Sequence, residues 1–123
     1  MNRQELEKHI FHTYGVSLDF PWMKYPSFAV FRHESNQKWF AVIMTIDRRK
    51  LGIEEDGQID VVNVKCEPNF VASTCGQQGI YPAYHMNKEK WISILLDNSV
   101  PMPDIAPLID ISYVLTDKKK KPL

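Results

Sequence analysis

The sequence has few cysteines. Its 123 residues include two, Cys66 and Cys75, which is too few for the several disulfide bridges of a small secreted scaffold. Two thiols also fall short of the three or four protein ligands that a zinc site needs. We therefore expect two free, half-buried cysteines and neither a metal ion nor another cofactor.

Long apolar runs are also missing. No stretch approaches the roughly 18 consecutive apolar residues of a membrane-spanning helix. The polar start over residues 1–5 is not followed by the apolar segment that a secretory signal requires. We expect a cytoplasmic protein without a membrane partner.

The chain lacks net charge, because 15 Lys and Arg balance 15 Asp and Glu. This balance excludes the strongly basic class of nucleic-acid-binding proteins. The charges are unevenly distributed, since four of the cations are Lys118–Lys121 and residues 1–117 hold eleven cations against fifteen acids. We expect one domain over 1–117 and a basic tail over 118–123. Any contact with nucleic acid must come from local basic turns or from this tail.

No catalytic motif is present. The chain has no Gly-x-Ser-x-Gly segment, and the glycine pair at 76 and 79 is followed by Ile80 rather than by the lysine of a phosphate-binding loop. We predict no catalytic residue and a binding protein rather than an enzyme. The enzyme alternative needs His33 or His85 in a concave site with a carboxylate within reach.

Hydrophobic periodicity predicts three helices and five strands. Helices are expected over 3–13 and 68–75, and a last one begins with Asp104 as its N-cap, which puts Pro107 at the third helical position. Pro82 places the fourth strand at a sheet edge or bulge. The strands are predicted over 28–32, 39–46, 59–65, 80–85 and 91–96.

The order of these elements, α-β-β-β-α-β-β-α, indicates the fold class. Consecutive strands joined by short turns form an antiparallel sheet. Helices packed on a five-stranded sheet of this kind make a two-layer α+β domain.

Several segments carry recognisable motifs. They are 28–33 with 38–44, then 61–68, 84–91 and 109–115. The most specific combination is Tyr-His-Met-Asn-Lys at 84–88, followed about twenty residues later by Ile-Asp-Ile-Ser-Tyr at 109–113. Over nearly its whole length the chain resembles the MmcQ/YjbR family of small bacterial proteins. The resemblance implies a compact α+β fold of the kind also found in secretion chaperones and frataxin-like domains.

The resemblance also implies a binding role, proposed for the family, on DNA through a double wing of two hairpins. On this sequence the wings are the turn from Arg32 to Lys38 and the turn at Asn87–Lys90. Exposed cations at such turns neutralise phosphates, and a two-stranded ribbon fits the major groove. The candidate DNA-binding residues are Arg32, Lys38, Asn87, Lys88 and Lys90, with a third basic spot at Arg48, Arg49 and Lys50.

Two alternatives stay open. Glu34 and Glu89 lie beside the predicted wings, so these turns are also typical of an ordinary solvated surface. The second alternative is a protein–protein interaction module that uses an apolar sheet face or groove. Its candidate partner-binding residues are Trp39, Tyr84, His85 and Trp91, although aromatic residues on strands more often belong to a core.

Overall fold

A computed structural model of the protein describes residues 1–22, 24 and 27–117. The predicted tail over 118–123 lies outside the described residues. The α+β class and the element order are confirmed, with one additional 3₁₀ turn at Arg48–Leu51. The elements are α1 (Arg3–Tyr14), β1 (Ala29–Arg32), β2 (Trp39–Asp47), β3 (Gln58–Lys65), α2 (Pro68–Thr74), β4 (Ile80–Pro82), β5 (Trp91–Leu95) and α3 (Met102–Thr116).

The five strands form one antiparallel sheet in the order β1-β2-β3-β5-β4. Strand β4 lies at the edge, as Pro82 predicts, and it is shorter than expected because it ends at this proline. The turns β1–β2 and β4–β5 leave the sheet at the same end, which we call the hairpin end. The 3₁₀ turn between β2 and β3 lies at the opposite end.

Helix α1 has the ends that its sequence favours. The Asn2 side chain accepts a hydrogen bond from the Glu5 backbone N–H at 2.9 Å, and the Glu5 carboxylate accepts one from the Asn2 N–H. This reciprocal pair is a capping box, which satisfies two backbone donors at the helix start. The helix ends at Tyr14, and its C-cap Gly15 adopts φ +70°, a conformation that costs glycine little.

The predicted start of the last helix is wrong. Helix α3 begins at Met102 with Pro101 as its N-cap, so Asp104 lies in the first turn and Pro107 in the helix interior. Pro103 explains the earlier start, because proline is favoured in a first turn. Pro107 is exposed, so the Pro103 carbonyl that loses its helical N–H partner belongs to the outer side of the helix.

The sheet has an apolar core on both faces. On the inner face, Leu6 and Ile10 of α1 and Ile105 and Ile109 of α3 are fully buried against the strands. The outer face is also buried, since Val30, Val42, Met44 and Val61 are at most 2% exposed. Partly buried side chains pack over this outer face, among them Trp22, Phe28, Leu51, Ile53, Tyr84 and Met86.

A bulge in β2 distributes two aromatic residues between these cores. Arg32 pairs with Trp39 and Phe31 with Ala41, so Phe40 is an extra residue without a partner on β1. An extra residue reverses the alternation of side chains along the strand. Phe40 therefore joins the inner core, while Trp39 lies on the outer face.

The structure also bears on the expectations about cysteines, membrane-spanning helices and metal ligands. Cys66 and Cys75 are free, with Cys66 buried and Cys75 partly buried, and burial raises the pKa of both thiols. None of the described helices has the length and apolar character needed to span a bilayer. Across the part of the chain that the structure describes, no three His, Cys, Asp or Glu side chains gather as metal ligands would.

Candidate functional site

The hairpin end brings the two predicted wings together with the end of β3. Lys65, at the end of β3, pairs with Trp91, and the Cys66 N–H donates to the Lys90 carbonyl at 2.8 Å. The first turn, over 33–38, leaves the sheet two strands away from β5. Both turns therefore project from one end of the domain.

Side-chain hydrogen bonds connect the first turn to the end of α3. The Asn36 side-chain amide donates to the Thr116 carbonyl at 2.9 Å, and its oxygen accepts from the Lys38 N–H at 2.8 Å. The Ser35 hydroxyl donates to the Asp117 carboxylate at 3.5 Å. Asp117 is the residue before the four lysines of the sequence. The last described residue, Asp117, thus lies beside the first turn.

A buried histidine supports this turn from inside. The His33 ring lies 4.2 Å from the Tyr113 ring and is 1% exposed. The Thr116 hydroxyl donates to the Ser112 carbonyl at 2.7 Å, so we assign the His33 Nε2–H as the donor to Thr116 Oγ1 at 2.7 Å. Burial lowers the pKa of His33, with the Asp117 carboxylate 3.6 Å away acting in the opposite direction. The lowered pKa favours the neutral imidazole in the folded protein at neutral pH.

We predict that stability falls when the solution is acidified below about pH 6.5, the ordinary pKa of histidine. The unfolded chain binds a proton at His33 there, while the folded chain does not until the lowered folded pKa is reached. The free energy of unfolding should lose up to about 1.4 kcal/mol per pH unit in that window from this residue. Urea unfolding of wild type and His33→Gln between pH 5 and 7.5 measures the difference, and equal pH slopes would refute it.

The second turn uses its own polar groups to hold its shape. The Asn87 carbonyl accepts from the N–H groups of Lys90 and Trp91, and its side-chain oxygen accepts from the Glu89 N–H at 2.9 Å. The Lys88 ammonium donates to the Ala83 carbonyl at 3.1 Å. Asn87 and Lys88 thus have partners within the protein.

The cations at the hairpin end differ in how they are engaged. Arg32 forms an ion pair with Asp19 at 2.9 Å and lies 5.9 Å above the Trp39 ring. Within the described ranges, the side chains of Lys38, Lys65 and Lys90 make no hydrogen bond or ion pair. Lys38 and Lys90 are exposed, so their charges are available to a ligand.

The third basic spot lies away from both wings. Strand β2 separates Arg48 from the first turn by about 27 Å. Arg49 contacts the Asp56 carboxylate at 3.1 and 2.7 Å, and Arg48 donates to the Gln58 carbonyl at 3.0 Å. The structure therefore groups the two hairpin turns and leaves Arg48–Lys50 at the opposite end.

An aromatic hollow of about 270 Å³ opens on the outer face of the sheet. Its walls include Trp22, Phe28 and Trp39, with the Trp22 ring 5.2 Å from Trp39 and 6.4 Å from Phe28, both nearly perpendicular. Among the described residues, the remaining lining comes from Val42, Met44, His85 and Met86.

His85 lines the hollow with its backbone in the left-handed region. It adopts φ +66°, an uncommon conformation for a residue with a side chain. The neighbouring Tyr84 is pinned on both sides, since its carbonyl accepts from the Asn63 amide at 2.8 Å and its N–H donates to the Ser93 hydroxyl at 3.1 Å. The Ser93 hydroxyl in turn donates to Asn63. Two buried polar residues thus define the path of this loop.

The predicted partner-binding residues divide between this hollow and the hairpin end. Trp39 lines the hollow and, with Trp91, also lines a shallow groove beside Lys38 and Lys65. Tyr84 is half-buried, while His85 is exposed. The apolar sheet face expected to receive a partner is buried in the described chain.

Sequence reasoning missed part of this arrangement. Asn63 and Ser93, which shape the His85 loop, interrupt two apolar strands, and that interruption is the signal that was available. Buried polar residues usually have partners that explain them. Nothing in the local sequence around Met44, Met86 and Lys65 indicates that these residues line a site.

A family model described as YjbR matches residues 12–115 of the chain. This chain belongs to the YjbR family. The resemblance inferred from the sequence is therefore confirmed. A curated relative is YyaQ of Bacillus subtilis (strain 168), described as an uncharacterized protein. It is 43% identical over 116 residues, which cover 94% of this chain and 98% of YyaQ.

Solved structures share this YjbR fold. A crystal structure of a Pseudomonas syringae protein superimposes with a TM-score of 0.92 at 45% identity, covering 94% of this chain and 99% of that one. A solution NMR structure from the same organism reaches 0.88 at 42% identity, covering 100% and 98%. A Deinococcus radiodurans DUF419 domain, 24% identical with a TM-score of 0.70 over 96% and 80% of the chains, shows the fold alone.

The segments that carry the YjbR resemblance have identifiable places in the site. Residues 84–91 form the His85 loop and the second turn, and 109–113 contain Ser112. The buried Ser112 hydroxyl accepts from the Lys65 N–H at 2.8 Å and donates to the Phe40 carbonyl at 2.6 Å. It stands just beyond the end of the β2–β3 ladder, whose last pair is Ala41 and Val64, and beside the bulge in the β1–β2 pair. The Ser112 hydroxyl thus takes the place of a direct backbone hydrogen bond between Lys65 and Phe40 at the hairpin end.

Proposed function

We propose that this YjbR-family chain is a DNA-binding module, without a catalytic step, that holds duplex DNA at its hairpin end. One observation carries the proposal: the two turns and the end of α3 lie together, with Lys38, Lys65 and Lys90 unpaired among the described residues. Lysines neutralise phosphates, and this contact dominates affinity for DNA.

The spacing of the turns suits a duplex. Strand β3 lies between the two hairpins, so their midlines are about 14 Å apart at the usual strand spacing. The major groove is about 12 Å wide. Lysines on the two turns are therefore placed to contact the two phosphate backbones that border one groove.

The described charges at the hairpin end nearly balance, so the proposed DNA binding depends on the lysine run for excess positive charge. Besides Arg32, which is paired with Asp19, four cations and four acids lie at the hairpin end before the lysine run begins. The set is Lys38, Lys65, Lys88 and Lys90 against Glu34, Glu67, Glu89 and Asp117. Lys118–Lys121 would supply the excess positive charge.

A salt titration with paired variants tests the proposal. Binding of a labelled duplex is measured by fluorescence anisotropy for wild type and for Lys38→Gln with Lys90→Gln. We expect roughly tenfold weaker binding at low salt and a slope of log K against log salt reduced by about 1.8, because each phosphate contact contributes about 0.9. The matched control, Lys8→Gln with Lys50→Gln, removes the same charge away from the hairpin end and should change the slope little.

Deletion of residues 118–123 distinguishes the contribution of the turns to DNA binding from that of the tail. We expect this deletion to weaken binding sharply, while unchanged binding would assign the contact to the turns alone. No binding at low salt, binding without salt dependence, or equal losses in both lysine pairs would overturn the proposal.

A further inference from the structure

We propose that the aromatic hollow on the outer face binds a planar heteroaromatic ring, which hydrogen-bonds to His85. The proposal stands on the hollow itself and does not depend on the binding of duplex DNA.

The size of the hollow selects a small ring system. Its volume is about 270 Å³, whereas an engineered apolar cavity of about 150 Å³ takes up benzene. A fused bicyclic ring of the size of a purine fits this space.

The chemistry of the walls favours a flat ring. Trp22 and Trp39 are 77° from parallel, so a planar guest that stacks on one meets the other edge-on. These are the two arrangements that aromatic pairs prefer. Met44 and Met86 add thioether side chains to the lining, and such groups make favourable contacts with aromatic rings.

The position of His85 adds a polar side chain to a lining whose other described residues are aromatic or apolar. Its ring lies 6.5 Å from Phe28 and 4.3 Å from Tyr84, and none of the hydrogen bonds among the described residues uses its imidazole nitrogens. A donor or acceptor at the edge of an apolar pocket gives orientation and specificity. The pinned Tyr84 maintains this position despite the positive φ of His85.

The location of the hollow leaves two sources for such a ring. Trp39 is shared with the groove that contains Lys38 and Lys65, so an unpaired base of a nucleic acid strand at the hairpin end can reach it. A free heteroaromatic small molecule presents the same ring. The shared chemistry is the planar nitrogen-containing ring, and the experiment distinguishes the sources.

The first measurement uses adenosine, which has the ring but no phosphate. In a Trp91→Phe background, the tryptophan emission reports on Trp22 and Trp39, both in the hollow. We expect saturable quenching by adenosine and none by ribose or by cyclohexanol, which is apolar but not planar. Absence of a saturable response to adenosine, or an equal response to cyclohexanol, would overturn the proposal.

Substitutions at position 85 separate the imidazole from its backbone. His85→Gly accommodates the positive φ and removes the hydrogen-bonding group, so adenosine should bind about fivefold more weakly. His85→Asn tolerates the same conformation and retains a polar group, so most of the affinity should return. Trp39→Leu should cost roughly tenfold or more. Thermal unfolding confirms that each variant is folded, and equal affinities of the Gly and Asn variants would contradict the role of His85.

A final comparison identifies the source of the ring. Binding is measured for a fully paired duplex and for the same duplex with one unpaired adenine. A gain from the unpaired base that disappears in His85→Gly supports the ring site and assigns it to nucleic acid. Adenosine binding without such a gain supports the ring site and assigns it to a free small molecule.

Discussion

Replacement of Phe40 by Ala should lower the free energy of unfolding by about 4 kcal/mol. Phe40 is the extra residue of the β2 bulge and is fully buried on the inner face. Removal of its ring leaves a cavity in a close-packed core, and the cost of such a cavity adds to the lost burial of apolar surface.

The surroundings of Phe40 cannot easily collapse into that cavity. Its ring contacts four others, with centroids 4.9 Å away for Tyr113, 5.1 Å for His33, 5.5 Å for Tyr14 and 6.2 Å for Phe31. These rings come from α1, α3, β1 and the first turn. Removal of the Phe40 ring therefore weakens the packing of both helices against the hairpin end.

The matched control is Phe70→Ala, because Phe70 is the same residue type but 60% exposed. Urea denaturation of both variants should show a large decrease in the midpoint for Phe40→Ala and a change within about 0.5 kcal/mol for Phe70→Ala. Comparable small effects at both positions would show that the Phe40 ring is not packed as the structure has it.

Replacement of Ser112 by Ala should destabilise the protein by about 3 kcal/mol. The hydroxyl bridges the Lys65 N–H and the Phe40 carbonyl just beyond the end of the β2–β3 ladder. Alanine leaves both backbone groups without this partner in a buried place. An unsatisfied buried group costs about 1–3 kcal/mol, which is more than the net gain from an ordinary hydrogen bond.

Two measurements identify the loss of the Ser112 hydroxyl bridge as the cause of the destabilisation. Hydrogen exchange at the Lys65 amide should accelerate in Ser112→Ala beyond the change expected from lower global stability, because this N–H loses its acceptor. Ser73→Ala is the control, since Ser73 is exposed and its hydroxyl donates within α2 to the Phe70 carbonyl. Unchanged exchange at Lys65 would refute the bridging role.

Local patterns were sufficient for the number and order of the helices and strands and for the two hairpin turns, because each depends on neighbouring residues. The start of α3 was predicted at Asp104 from its capping chemistry, and this failed because Pro101 and Pro103 favour an earlier start. Fourth-strand residues 83–85 were predicted as extended, but the strand ends at Pro82, and His85 turns into the outer hollow.

By itself, the sequence determined the α+β class, the placement of β4 at a sheet edge or a bulge, and the location of the basic turns and lysine run along the chain. These follow from hydrophobic period, proline chemistry and composition. Only the tertiary structure decided that the two hairpin turns share one end while Arg48–Lys50 lie at the other. It also decided that the bulge turns Trp39 outward, where it meets Trp22 and residues 85–86 in one hollow. Strand order and bulge position depend on pairing between distant segments, which no local pattern encodes.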